Sequence, residues 1–233
     1  IHSCLSPCAD DDMTPNNIVN MAIIKELDVI AICDHNCNKN LKAFAKLANK
    51  IKIIYGIEIQ TIEEVHILAL FRNIADNEAF YQILDQYHIK QKNDETYFGN
   101  QLIMDENDNI IEHEENLLLT SCNISINKLI KLIHDHHGIA VLAHVLDRKN
   151  SICNQLGFIP MGLEMDAIEV KNWDEINKVI KMHPYLKDYV FLIDSDAHSL
   201  IDISEKENAI DENYFDGAPN SDILDICDII NSF

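Results

Sequence analysis

Five short runs rich in Val, Ile and Leu, each carrying a histidine or an acidic residue at or near one end, constrain this chain more than any other feature. AICDHN closes at Asp34, His35 and Asn36, and YGIEI carries Glu58. VHILALF opens with His66, GIAVLAH ends on His144, and VFLIDSDAH ends on Asp196 and His198. Runs of this composition read as buried strands. Between them lie stretches with helical spacing. Strands alternating with helices imply a largely parallel sheet covered on both faces. Such sheets bind ligands at the carboxyl ends of their strands. One edge of the sheet is therefore expected to be lined with imidazoles and carboxylates, which is what a multi-metal hydrolase site needs.

The remaining elements follow from local signals. Thr14 and Pro15 read as an N-cap and first helical position. Further helices are expected at about 40–49, 77–87, 125–137, 174–182 and 221–230, the one at 125–137 ending at Gly138. Beside the five runs, AIEVKN makes a sixth strand. Residues from about 90 to 123 are polar and irregular. They read as an excursion from the core with a hairpin at the turn-like Asp105 to Asn109.

A chain of 233 residues supports one substantial core, so residues 1–233 are expected to form a single α/β domain. The net charge of −21 argues against binding duplex nucleic acid through a basic face. It leaves room for a small phosphorylated substrate, because divalent ions dominate the field inside a pocket. No apolar run is long enough for a membrane span. Seven scattered cysteines without a CxxC pair suit a reduced, cytoplasmic protein. Cys8, near His2, has a small chance of touching a metal. His88, His113 and His183 read as exposed, and His134, His136 and His137 as the end of a helix; none is assigned a role.

The motifs IHSCLSPC, AICDHN, GIEI with EVHIL, VLAH and SDAH resemble, in this order, those of the PHP (polymerase and histidinol phosphatase) metal-dependent phosphoesterases. The resemblance runs from His2 to His198 and implies a distorted (β/α)7 barrel with two or three divalent ions at the carboxyl ends of its strands. By that resemblance the metal ligands are His2, His35, Glu58, His66, His144, Asp196 and His198. Glu58 takes the place of a metal-bridging carboxylate. His2 matches the second histidine of the family's opening His-x-His pair, whose first would lie one position before Ile1. Where many members have Ser-Asp-Gly, this chain has Ser6, Pro7 and Cys8, so one metal position is either weaker or completed by Cys8, an aspartate of 10–12 or water.

A histidine-rich donor set points to Zn, Mn or Fe, with Mg possible but favouring more oxygen. The activity implied is hydrolysis of a small phosphate ester, such as a nucleotide, nucleoside bisphosphate or sugar phosphate, by metal-bridged hydroxide. Asp34, beside a ligand, would orient an imidazole or handle a proton. Arg148, one of only two arginines, lies four residues after His144 and could hold a second phosphate through paired hydrogen bonds; a surface ion pair with Asp147 is the competing use. Lys171 is a weaker candidate for the same task. An exonuclease on short oligonucleotides, an amidohydrolase-like enzyme, and a non-catalytic metal-binding module remain open, as does the oligomeric state.

Overall fold

The computed structural model describes residues 1–146 and 149–206 of the chain. Helix α1 (Pro15–Ile24) begins as its signals dictate: the Thr14 hydroxyl accepts from the Asn17 N–H, and Pro15 sits where its missing N–H costs nothing. There follow β1 (Val29–Ile32), α2 (Leu41–Leu47), β2 (Lys52–Gln60), β3 (His66–Phe71) and α3 (Ile74–Leu84). The 90–123 stretch holds α4 (Glu95–Phe98), β4 (Leu102–Met104) and β5 (Ile110–His113). Next come α5 (Ile126–Asp135), β6 (Ile139–Leu142), α6 (Ile152–Leu156), β7 (Ala167–Val170), α7 (Trp173–Met182) and β8 (Val190–Ile193).

Six strands form one curled half-barrel sheet in the order β1-β2-β3-β6-β7-β8. All neighbours are parallel except β3, which runs against both β2 and β6. That reversal matters for the site. It places the start of β3, His66, opposite Gln60 at the end of β2, so a run that opens with histidine delivers it to the same edge as runs that close with one. At this edge the Cys33 N–H donates to Ile1 O (2.9 Å) and the His2 N–H to Ala197 O (2.9 Å). Residues 1 and 2 thus lie between the end of β1 and the segment after β8. The expected seven strands resolve into six hydrogen-bonded ones with Ile1 and His2 in the closing position.

Strand alternation divides the side chains between two faces. Ile57, Ile59, Ile67 and Ala69 join a large core under α3, α5 and α7, whereas Leu68, Leu70, Val141 and Ala167 form a smaller core on the opposite face. Glu58 and Glu169 fall between members of the first set and so point with the second. Helix α5 buries Ile126, Leu129, Ile130 and Ile133, the spacing of one helical face, at about 1.5–3 kcal/mol for each side chain. Gly56 is required by a close approach. A Cβ there would lie 2.4 Å from Cys33 Sγ and 2.9 Å from Ile32 O, so only glycine lets β2 carry Glu58 this near the end of β1.

Several expectations need correction. Helix α3 starts at Ile74 rather than 77 because the Asn73 side chain accepts from the Asp76 N–H and caps it there. Helix α6, capped by Ser151 and closed by Gly157 with φ +79°, was not expected. The 90–123 excursion does carry a hairpin, whose turn is held by the Asp105 carboxylate accepting from the N–H groups of Asn107 (2.8 Å) and Asn109 (2.9 Å). It is nevertheless packed into the body, with Leu102, Ile103, Met104 and Leu118 buried. His88 and His183 are buried, not exposed; His113 is exposed as expected. The helix expected at 221–230 lies outside the described residues.

Candidate metal centre

Seven side chains separated by as many as 196 positions meet at the edge just described, and Glu58 is their hub. Its Oε2 lies 3.1 Å from His2 Nε2 and 3.3 Å from His35 Nδ1. Its Oε1 lies 2.8 Å from His66 Nδ1 and 3.2 Å from His144 Nε2. Asp196 Oδ1 is 3.1 Å from His2 Nε2, and the His198 ring stacks on His2 with centroids 4.2 Å apart. All seven residues expected as ligands are therefore brought together. Most are buried; His198, whose side chain is 28% exposed, is the most open to solvent.

Donor atoms within 4.8 Å of one another form three sets: His2, His35 and His198; His35, Glu58 and His66; His2, Glu58 and Asp196. The sets overlap at His2, His35 and Glu58; of these only the Glu58 carboxylate, with its two oxygens, could serve two neighbouring cations, and His144 enters none of the three sets. No cysteine enters a set among the described residues, and Cys8 and Asp10 to Asp12 are exposed. The backbone also bends where these side chains converge. Asn36, His144 and Asp196 have φ of +50°, +29° and +46°, conformations that cost non-glycine residues on the order of 1–3 kcal/mol each.

The electrostatics show how strongly the cluster favours a cation. Burial alone would raise the Glu58 carboxyl, but the His66 and His35 rings beside it and hydrogen bonds from His144 and His2 hold it well below the usual range. Burial would lower His2, yet hydrogen bonds to Asp196 and Glu58 push it up to about 9. His35 and His198 are both lowered, by burial and by the positive charge on His2. The buried Nδ1 of His144 has no hydrogen-bond partner. Five imidazoles and two carboxylates, with one proton held between acids, form a donor set that divalent ions fit.

Residues around the cluster fix the rings. The Asp34 carboxylate does not enter a donor set; it accepts from the Ser3 N–H (2.7 Å), the Ser3 hydroxyl (2.7 Å) and the Ser6 hydroxyl (2.8 Å). Having given its only proton to Asp34, Ser6 Oγ accepts from the His35 N–H (3.1 Å) and from His2 Nδ1 (3.0 Å), leaving His2 Nε2 facing the cluster. Asn150 fixes His66, its Nδ2 2.8 Å from Nε2 and its carbonyl accepting the His66 N–H. Ser3, Ser6 and Asn150 escaped the sequence reading; the two serines could have been suspected from their place beside His2. So did Glu169, 4% exposed, which burial and the nearby charges of Asp194 and Glu58 raise well above an ordinary glutamate. Lys171 is exposed just beyond β7, and Arg148 lies outside the described residues.

Comparison with known proteins agrees with this geometry. The chain resembles the lesion-specific endonuclease Q of Pyrococcus furiosus at 17% identity and TM-score 0.59, over 86% of this chain and 47% of that one. It thus spans about half the length of that nuclease. A proposed metal-dependent phosphoesterase from Bifidobacterium adolescentis matches at 17% identity and TM-score 0.57 over 91% of both chains. An amidohydrolase from Chromobacterium violaceum matches at 16% and 0.56, over 91% of this chain and 90% of that one. Comparison with curated protein sequences finds no match. The family model of the PHP domain matches residues 1–181, and the chain belongs to the PHP family of metal-dependent hydrolases.

Proposed function

We propose that this hydrolase acts on a small phosphate ester, such as a nucleotide, nucleoside bisphosphate or sugar phosphate. The observation that carries the reading is Glu58 ringed by four imidazoles at 2.8–3.3 Å, with Asp196 and His198 beside them. His2, His35, Glu58, His66, His144, Asp196 and His198 would hold two or three divalent ions, Zn, Mn or Fe before Mg. When bound, such ions polarise a phosphoryl oxygen and make water a nucleophile at neutral pH. The chain's own residues do the rest. Glu58 keeps the four imidazoles converged, and Asp34 acts through Ser6 to keep His2 Nε2 turned inward. Substrate would approach past His198, the most exposed ligand.

Arg148 would bind a non-reacting phosphate. The net charge of −21 favours a small substrate over a long nucleic acid, and a sulfate, the tetrahedral analogue of phosphate, is present in the structure of the Chromobacterium violaceum amidohydrolase. Cys4, Cys8, Cys33, Cys37 and Cys122 are free thiols, which supports a reducing, cytoplasmic setting. Among the described residues no helix is long and apolar enough to cross a membrane. The likeness to endonuclease Q, seen elsewhere with a 27-mer duplex bearing an abasic lesion, favours one second reading, phosphodiester cleavage.

The test is a screen of nucleotides, bisphosphates, sugar phosphates and an abasic duplex with Mn, Zn, Fe or Mg supplied in turn. Phosphate release that His198→Ala abolishes supports the proposal. Cleavage of the duplex alone would move the chain to the nuclease reading. Loaded metal without turnover of any substrate would leave a non-catalytic module.

A further inference from the structure

Asn40 occupies the N-cap of α2, where an asparagine side chain ordinarily accepts an N–H of the first helical turn, yet it makes no capping bond. It is fully buried, and its amide is spent elsewhere. Nδ2 donates to Ser3 Oγ (2.9 Å) and to Leu102 O (3.0 Å), while Oδ1 accepts the Met104 N–H (2.8 Å). Two of these partners belong to β4 in the 90–123 excursion, and the third lies next to His2.

Counting donors gives the chain of bonds a direction. Ser3 Oγ accepts from Asn40 and donates its proton to Asp34, and Asp34 accepts also from Ser6, which in turn accepts from His2 Nδ1. The hairpin is thereby connected to the ring of a metal ligand through four buried side chains, each with its hydrogen bonds satisfied. The same stretch grips the loop after His2 directly. The Leu102 N–H donates to Cys4 O (2.9 Å), and Gly99, with φ +100°, presses so close to Pro7 O that a Cβ would lie 2.3 Å from it.

We propose that Asn40 is a positioning residue of the metal centre, through which the 90–123 hairpin sets the orientation and tautomer of His2. The proposal rests on the metal-binding reading above. It accounts for a capping residue diverted from its cap, and it makes the excursion a brace for the ligand loop.

The test is a double-mutant cycle read as Zn or Mn affinity, by competition with a chromophoric chelator. Asn40→Ala and Ser6→Ala should each weaken binding about 10–100-fold. The double variant should be no weaker than the worse single one, since both cut one chain. Ser3→Ala, which removes only a hydroxyl, serves if Asn40→Ala does not fold, and should weaken binding alike. Thr14→Val is the structural control: it removes one bond to the hairpin tip, Thr14 Oγ1 to Asp108 (2.8 Å), and the cap of α1, without touching the chain of bonds. It should lower the melting temperature and leave affinity within twofold. Affinity unchanged in Asn40→Ala or Ser3→Ala, or losses that multiply in the double variant, would overturn the proposal. Wild-type protein that binds no metal would instead overturn the reading beneath it.

Discussion

Gly56→Ala tests whether the site depends on the close approach of β2 to β1. The added methyl would sit 2.4 Å from Cys33 Sγ, 2.9 Å from Ile32 O and 3.0 Å from Leu70 Cδ2. A thiol can turn aside, but Ile32 O belongs to the strand paired with β2, so the strands must part by several tenths of an ångström. Overpacking of this kind costs about 1–3 kcal/mol. For a domain of this size that is a fall in melting temperature of about 2–12 °C. Because Glu58 lies two residues on, the same displacement should weaken metal binding. Differential scanning fluorimetry on metal-free protein, with titrations of Zn or Mn, measures both effects. Cys33→Ala combined with Gly56→Ala should recover part of the lost stability, leaving the contacts with Ile32 O and Leu70 Cδ2. A single variant that melts within a degree of wild type and binds metal equally well would refute the packing argument.

Two further outcomes follow from the same contacts. Glu58→Gln should lower metal affinity by at least about 100-fold, since Glu58 belongs to two donor sets and outer-shell changes alone reach that size; calorimetric titration checks it. Glu114 is buried, which would raise its carboxyl, but hydrogen bonds from Lys39 and Asn116 hold it below the usual range. Its contribution is then fully present above the ordinary glutamate value and lost as pH falls through the lowered one. Glu114→Gln should therefore cost up to about 1 kcal/mol at neutral pH, Lys39 being 37% exposed, with the gap closing in acid; urea melts across pH measure it.

The sheet, and the gathering of imidazoles and carboxylates along one of its edges, were legible because both rest on short-range patterns. Val, Ile and Leu runs mark strands wherever they pack, and the histidines and acidic residues at or near their ends fall on one edge by topology. His66 shows the limit of that reasoning. Its place at the head of a run becomes intelligible only once β3 is seen to be antiparallel, which no local signal in VHILALF announces. Asn40 shows it more sharply. Read locally it is a helix cap; its partners Leu102 and Met104 lie 62 and 64 residues away, so its role is decided by tertiary packing. The 90–123 stretch misled for a related reason: its polar composition suggested detachment, yet polar side chains such as Gln101, which bonds the carbonyls of Glu114 and Asn116, are what tie it down.

The most direct test of the account is elemental analysis of purified protein by inductively coupled plasma mass spectrometry, with His198→Ala and Glu58→Gln alongside. Six residues in overlapping donor sets, with His144 3.2 Å from Glu58 beside them, predict about two to three divalent ions per chain, falling in both variants. Fewer than one ion per wild-type chain after incubation with Zn, Mn or Fe would contradict it.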